Sequence, residues 1–116
     1  MSEPEKDGMA ELWKILGRRW TLAILQNLSA AEARRFSEIK KSLQSISGTM
    51  LSERLAELER EGLVMKKVYS AVPPKVEYRL TASARELFHI LRDVCAWRIR
   101  WARGNDLYEL VNLSAR

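Results

Sequence analysis

The sequence predicts a mainly α fold with a small β-hairpin, an α+β chain, and three adjacent stretches carry that prediction. Ser47 to Glu61 places Leu51, Leu55 and Leu58 at i, i+4 and i+7, so one stripe of a helix is apolar and must be buried. Before it, Ser37 to Leu43 shows only Ile39 and Leu43 as aliphatic positions. The joining residues Gln44-Ser45-Ile46 are too few for anything but a sharp corner. After it, Leu63 to Tyr69 and Lys75 to Leu80 alternate and are rich in β-formers, which predicts two paired strands. Helix, corner, helix and ribbon form a winged helix-turn-helix, here with extra helices at both ends that would serve dimerisation.

In chain order, residues 1–8 lack the apolar core and cleavage pattern of a signal peptide and read as a flexible tail. Met9, Leu12, Trp13 and Leu16 then follow the i, i+3, i+4, i+7 rule over a short helix closed by Gly17. Trp20 to Leu28 contributes Leu22, Ile24, Leu25 and Leu28 to a central core helix. Ser29 to Arg34 is a loop. The recognition helix, about 47–61, starts at Ser47, whose hydroxyl can accept from a first-turn amide, and ends at Gly62, which can turn left-handed. The wing, about 63–80, has Ser70-Ala71-Val72-Pro73-Pro74 as its connection, because two prolines cannot donate to a ladder and stiffen a loop.

Thr81 caps a long last helix, about 82–103, in which Ala84, Leu87, Phe88, Leu91, Val94 and Cys95 form a stripe. Trp97, Ile99 and Trp101 spread apolar surface beyond it. One face cannot bury all of that, and a large exposed apolar patch marks a partner surface. Val94, Trp97 and Trp101 are therefore expected homodimer contacts, whereas Leu12 and Trp13 of the first helix read either as a lid on the protein's own core or as contacts to a second subunit. The competing cover is a short helix over Leu107 to Leu113 within the extension 104–116. Residues 9–103 form the expected winged helix-turn-helix domain.

Gly17-Arg18-Arg19-Trp20-Thr21-Leu22, Arg35-Phe36-Ser37-Glu38-Ile39, Met50-Leu51-Ser52-Glu53-Arg54-Leu55, Glu61-Gly62-Leu63-Val64 and the wing run from Val72 to Thr81 occur in register. Together they resemble the HxlR-type transcriptional regulators, over about Leu12 to Trp97. The resemblance implies a homodimer on a pseudo-palindromic operator. It departs at Gly48-Thr49, where relatives often place proline and a long basic residue. Several regulators of this type also respond to oxidants or electrophiles through a cysteine about ten residues before the glycine that is here Gly17. That position falls on Asp7, so the thiol switch does not carry over. Cys95 reads as a small buried residue on the apolar stripe, where burial disfavours the reactive thiolate; the rival reading is that it meets its twin across a dimer axis and bridges on oxidation.

Composition bounds the function independently. The chain has 116 residues, 47% hydrophobic and 30% charged, which suits one folded domain and excludes a disordered one. It contains no run near the roughly 20 apolar residues of a membrane span. A single cysteine cannot bridge within the chain, which fits a reducing, cytoplasmic setting. The net charge of +5 is unevenly spread: Val64 to Leu80 holds four bases against one acid, the most basic segment per residue. Excess positive charge on a hairpin suits a polyanion.

Double-stranded DNA is thus the expected partner. Ser47, Gly48, Thr49, Ser52, Glu53 and Arg60 would face the major groove. Arg34, Arg35, Lys40, Lys41 and the wing's Lys75 would meet backbone and minor groove. Glu53 cuts against DNA, since phosphate repels a carboxylate, although it can accept from cytosine N4. A winged-helix module for protein partners is the alternative. Enzyme chemistry is poorly represented: His89 is the only histidine, and no Gly-rich phosphate loop, metal-ligand cluster or cofactor motif occurs. The signal, an unidentified small-molecule or redox effector, is not legible.

Overall fold

A computed structural model describes residues 8–101. The elements are α1 (Met9–Leu16), α2 (Thr21–Ser29), α3 (Phe36–Leu43), α4 (Gly48–Arg60), β1 (Val64–Tyr69), β2 (Lys75–Leu80) and α5 (Ala82–Trp101). The tail and the extension expected at the two ends lie outside the described residues, as does Asp7. Among the described residues no helix is long and apolar enough to cross a membrane, and no group of three or more His, Cys, Asp or Glu could hold a metal.

The core is drawn from every element except α3's polar flanks: Ile15 and Leu16 of α1, Ile24, Leu25 and Leu28 of α2, Ile39 of α3, Leu51, Leu55 and Leu58 of α4, and Leu63, Val64, Leu80 and Ala84 beyond. Ile46, read only as part of the corner, is 2% exposed and pins that corner from inside. The central helix α2 packs on α1, α3, α5 and β2. The wing is antiparallel, with Val64 opposite Leu80 and Tyr69 opposite Lys75. Its period of two sends Val64, Tyr78 and Leu80 to the core side and Met65, Lys67, Tyr69, Lys75 and Glu77 to the other.

The caps form as the residues predict at three ends. Ser47 Oγ accepts from the Met50 amide at 3.0 Å, and Gly62 adopts φ 76 after α4. Thr81 Oγ1 accepts from the Ala84 amide at 3.1 Å and donates to the Gly62 carbonyl at 2.8 Å, tying the start of α5 to the end of α4. Gly17 differs: its φ is −84, not left-handed. Its value is space, because a Cβ there would stand 3.3 Å from the Trp13 carbonyl oxygen. The left-handed residue at this junction is instead Trp20, with φ 78, directly ahead of α2.

Two further expectations are corrected. Arg34 is not simply in a loop: its amide donates to Tyr78 O at 2.9 Å and its carbonyl accepts from the Tyr78 amide at 2.8 Å, so it bridges to the free edge of β2. The stripe on α5 also splits. Ala84, Leu87, Phe88 and Leu91 pack on the core, whereas Val94 is 55% exposed and Cys95 is only half-buried. Cys95 lines a half-open cavity of about 100 Å³ between α2 and α5, walled by Leu22, Phe88, Leu91 and Val94.

Candidate nucleic-acid interface

Burial of Leu51, Leu55 and Leu58 turns the opposite arc of α4 outward by helical geometry alone. Thr49, Ser52, Glu53, Ala56 and Arg60 are all exposed, spaced i, i+3, i+4, i+7 and i+11. Small polar groups lead the stripe and a cation ends it. Ser47 is exposed, but its hydroxyl already serves the Met50 amide, so its first task is to cap the helix. Gly48 begins α4, and the Lys40 side chain passes 3.8 Å from where a Cβ would stand, so α3 brings a cation to the amino end of α4. Lys40 and Lys41 are both exposed in the last turn of α3.

Arg34 and Arg35 part ways. Arg35 is exposed ahead of α3, and its amide donates to Glu38 Oε1 at 2.8 Å, which fixes the helix start. Arg34 is half-buried, with Nε donating to the Asn27 carbonyl at 3.1 Å. One of its five side-chain donors is thus tied to the fold.

The wing carries a charge cluster that sequence reasoning did not assemble. Lys75 Nζ lies 3.4 Å from Glu77 Oε2 and 5.3 Å from the centroid of the Tyr69 ring; Lys67 Nζ approaches the same ring at 4.9 Å. The Tyr69 hydroxyl donates to Glu77 Oε1 at 3.1 Å. Lys75 is therefore not the lone cation beside two prolines that its sequence neighbours suggest. Burial pushes the Glu77 carboxyl up, but the hydrogen bonds from Tyr69 and Lys75 and the charges of Lys75 and Arg79 outweigh it and hold the group below the ordinary glutamate value. The register, with Lys67 opposite Glu77 and Tyr69 opposite Lys75, is the signal that would have found this group.

A second cluster sits behind α4. Arg54 is 8% exposed on the packed face, with Nε donating to the Arg19 carbonyl at 3.0 Å and Nη1 to Glu57 Oε2 at 2.9 Å. Arg18 Nη1 reaches the same oxygen at 3.0 Å. An arginine inside the leucine register of α4, three residues before a glutamate, is the sequence signal for this cluster.

Of the expected dimer contacts, Trp13, Val94, Trp97 and Trp101 are between 53% and 68% exposed, while Leu12 packs against the core. Ile90 joins Val94, Trp97 and Trp101 at i, i+4, i+7 and i+11, giving α5 one continuous apolar stripe.

A corner of two helices with an outward polar face, flanked by a basic hairpin, defines a winged helix-turn-helix DNA-binding regulator of transcription. The profile of the HxlR-like helix-turn-helix family matches residues 15–106, and the chain belongs to that family. An HTH-type transcriptional regulator of Halalkalibacterium halodurans is 41% identical over 86 residues, 74% of this chain and 76% of its own. The reduced form of the transcriptional regulator YodB from B. subtilis superposes with a TM-score of 0.77 at 33% identity, covering 90% of this chain and all of that one. The redox regulator HypR in its oxidized form gives 0.69 at 33% identity over 82% of this chain and 96% of its own.

Proposed function

We propose that the protein is a sequence-specific regulator that binds a pseudo-palindromic operator as a homodimer in the cytoplasm. The reading rests above all on the exposed stripe Thr49, Ser52, Glu53, Ala56 and Arg60, which meets the width of a major groove with small side chains leading. Arg35, Lys40 and Lys41 flank that stripe as phosphate contacts. Lys75, beside Lys67, serves the backbone or minor groove from the wing, exchanging Glu77 for phosphate. Gly48 at the head of α4 shortens direct readout there. Arg34, whose Nε bonds to the Asn27 carbonyl, adds a phosphate contact through its remaining guanidinium donors.

The second copy covers Trp13 of α1 and the α5 stripe Ile90, Val94, Trp97 and Trp101, since exposed tryptophans favour apolar association. The description of HypR as a redox regulator supports a redox or small-molecule signal for this chain as well. Selection of bound sequences from random duplex DNA tests the whole reading. It should return two half-sites about one helical turn, or ~34 Å, apart, with affinity falling steeply as salt rises. Salt-indifferent binding to every duplex would refute it. Trp101→Asp should shift the sedimenting species from dimer to monomer while the helix-turn-helix stays folded.

A further inference from the structure

The Arg18–Glu57–Arg54 cluster joins two parts of the molecule that have separate tasks. Arg54 and Glu57 lie on α4, whose outer face is turned to DNA, and Arg18 and Arg19 lie on the junction between α1 and α2. That junction is stiff. Gly17 N donates to Trp13 O at 3.0 Å, Arg18 N to Ile15 O at 3.1 Å, Thr21 N to Arg18 O at 3.3 Å and Ile24 N to Trp20 O at 2.9 Å, a series of bonds leading from the exposed Trp13 into α2. Arg19 further lies over the left-handed Trp20, its guanidinium 5.3 Å from the ring centroid. The junction thus links α1 to Arg18 and, one residue on, to the Arg19 carbonyl.

Both of those groups are bonded to α4: Arg18 to Glu57 Oε2, and the Arg19 carbonyl to Arg54 Nε. As a device for stability alone the arrangement is poor. A leucine at 54 would continue the apolar stripe with no charge to desolvate, and Glu57 Oε1 is buried without a hydrogen-bond partner among the described residues. What the charged cluster adds is direction, because planar guanidiniums and a carboxylate fix distance and angle as apolar contact does not.

We propose that Arg18, Arg54 and Glu57 are positioning residues that lock α4 to α1, so that the separation of the two recognition helices, and with it the accepted half-site spacing, is set through this cluster. The inference rests on the homodimeric, operator-binding reading above. In a twofold dimer the angle at which each α4 leaves α1 is counted twice, once per half-site.

The test is selection from random duplexes with the natural chain, Arg18→Gln and Glu57→Gln, each first shown to melt cooperatively. The natural chain returns one spacing. Both variants return the same bases within each half-site but several spacings, and the natural operator binds them about tenfold more weakly, within the usual range of coupling between sites. Arg18→Gln alters a side chain that is 36% exposed and leaves the Arg54–Glu57 pair in place, so it decides the matter if Glu57→Gln does not fold. A folded Arg18→Gln that keeps the single spacing overturns the inference. So does an equal loss of affinity at every spacing, which would reduce the cluster to a contribution to stability. If the natural chain itself selects isolated half-sites with no preferred spacing, the dimeric operator reading is what fails.

Discussion

The molecule carries two clusters in which a glutamate meets basic side chains, and their surroundings give them opposite uses. Behind α4, Glu57 holds Arg18 and Arg54 at 3.0 and 2.9 Å with side chains that are 14%, 36% and 10% exposed. On the wing, Glu77 holds Lys75 at 3.4 Å, and the lysine side chain is 40% exposed. Arg54 and Glu57 in the first setting have lost most of their water and depend on each other, whereas the lysine in the second can leave glutamate for any other anion at little cost. The guanidinium makes directed bonds to two acceptors; the ammonium is a point charge on a flexible stem. Geometry is therefore stored behind the recognition helix, and adaptable charge is displayed on the wing.

The largest effect should come from breaking the interior cluster. Arg54→Ala leaves Glu57 with Arg18 alone and opens a gap beside Leu51 and Leu58, so unfolding stability should drop by about 3 kcal/mol, the lower end for a broken buried pair. A denaturant midpoint at constant slope measures it. Lys75→Ala in the same experiment should change stability by less than about 1 kcal/mol. Equal losses in the two variants would erase the distinction.

Next in size is the outward face of α4. Thr49→Ala or Ser52→Ala should alter preference at one base position by about 1 to 3 kcal/mol and leave the salt dependence alone. Competition among single-base operator variants reads this directly, and a uniform loss across variants would reassign the residue to packing. Lys75→Ala should do the converse: all duplexes weaken together, and the slope of log affinity against log salt falls by about one. An unchanged slope would remove Lys75 from the interface.

The smallest effect concerns acid. Glu77 titrates below its ordinary value in the folded chain, so its contribution to stability is complete above the unfolded value and is lost as pH falls through the folded one. An NMR titration should place the Glu77 midpoint below those of exposed glutamates. In Glu77→Gln that portion of the acid-side loss should vanish. A Glu77 midpoint at or above the exposed glutamates would show that burial, not Tyr69 and Lys75, governs the group.

Periodicity and capping chemistry are local properties, and the sequence by itself settled what depends on them. Leu51, Leu55 and Leu58 fix which arc of α4 is inward, Ser47 and Thr81 mark helix starts, and Pro73-Pro74 separate two strands. The outward stripe from Thr49 to Arg60 follows from the same arithmetic. Pairings distant in sequence were decided only by the tertiary structure. Arg34 reads as a loop cation that meets the DNA backbone until Tyr78 is brought alongside its main chain. Lys75 reads as free until the register sets Tyr69 opposite and Glu77 beside it. Arg54 lies 35 residues from the carbonyl it serves. Whether a long polar side chain reaches solvent, phosphate or a buried acceptor depends on which elements pack against its own. No window along the chain contains that information.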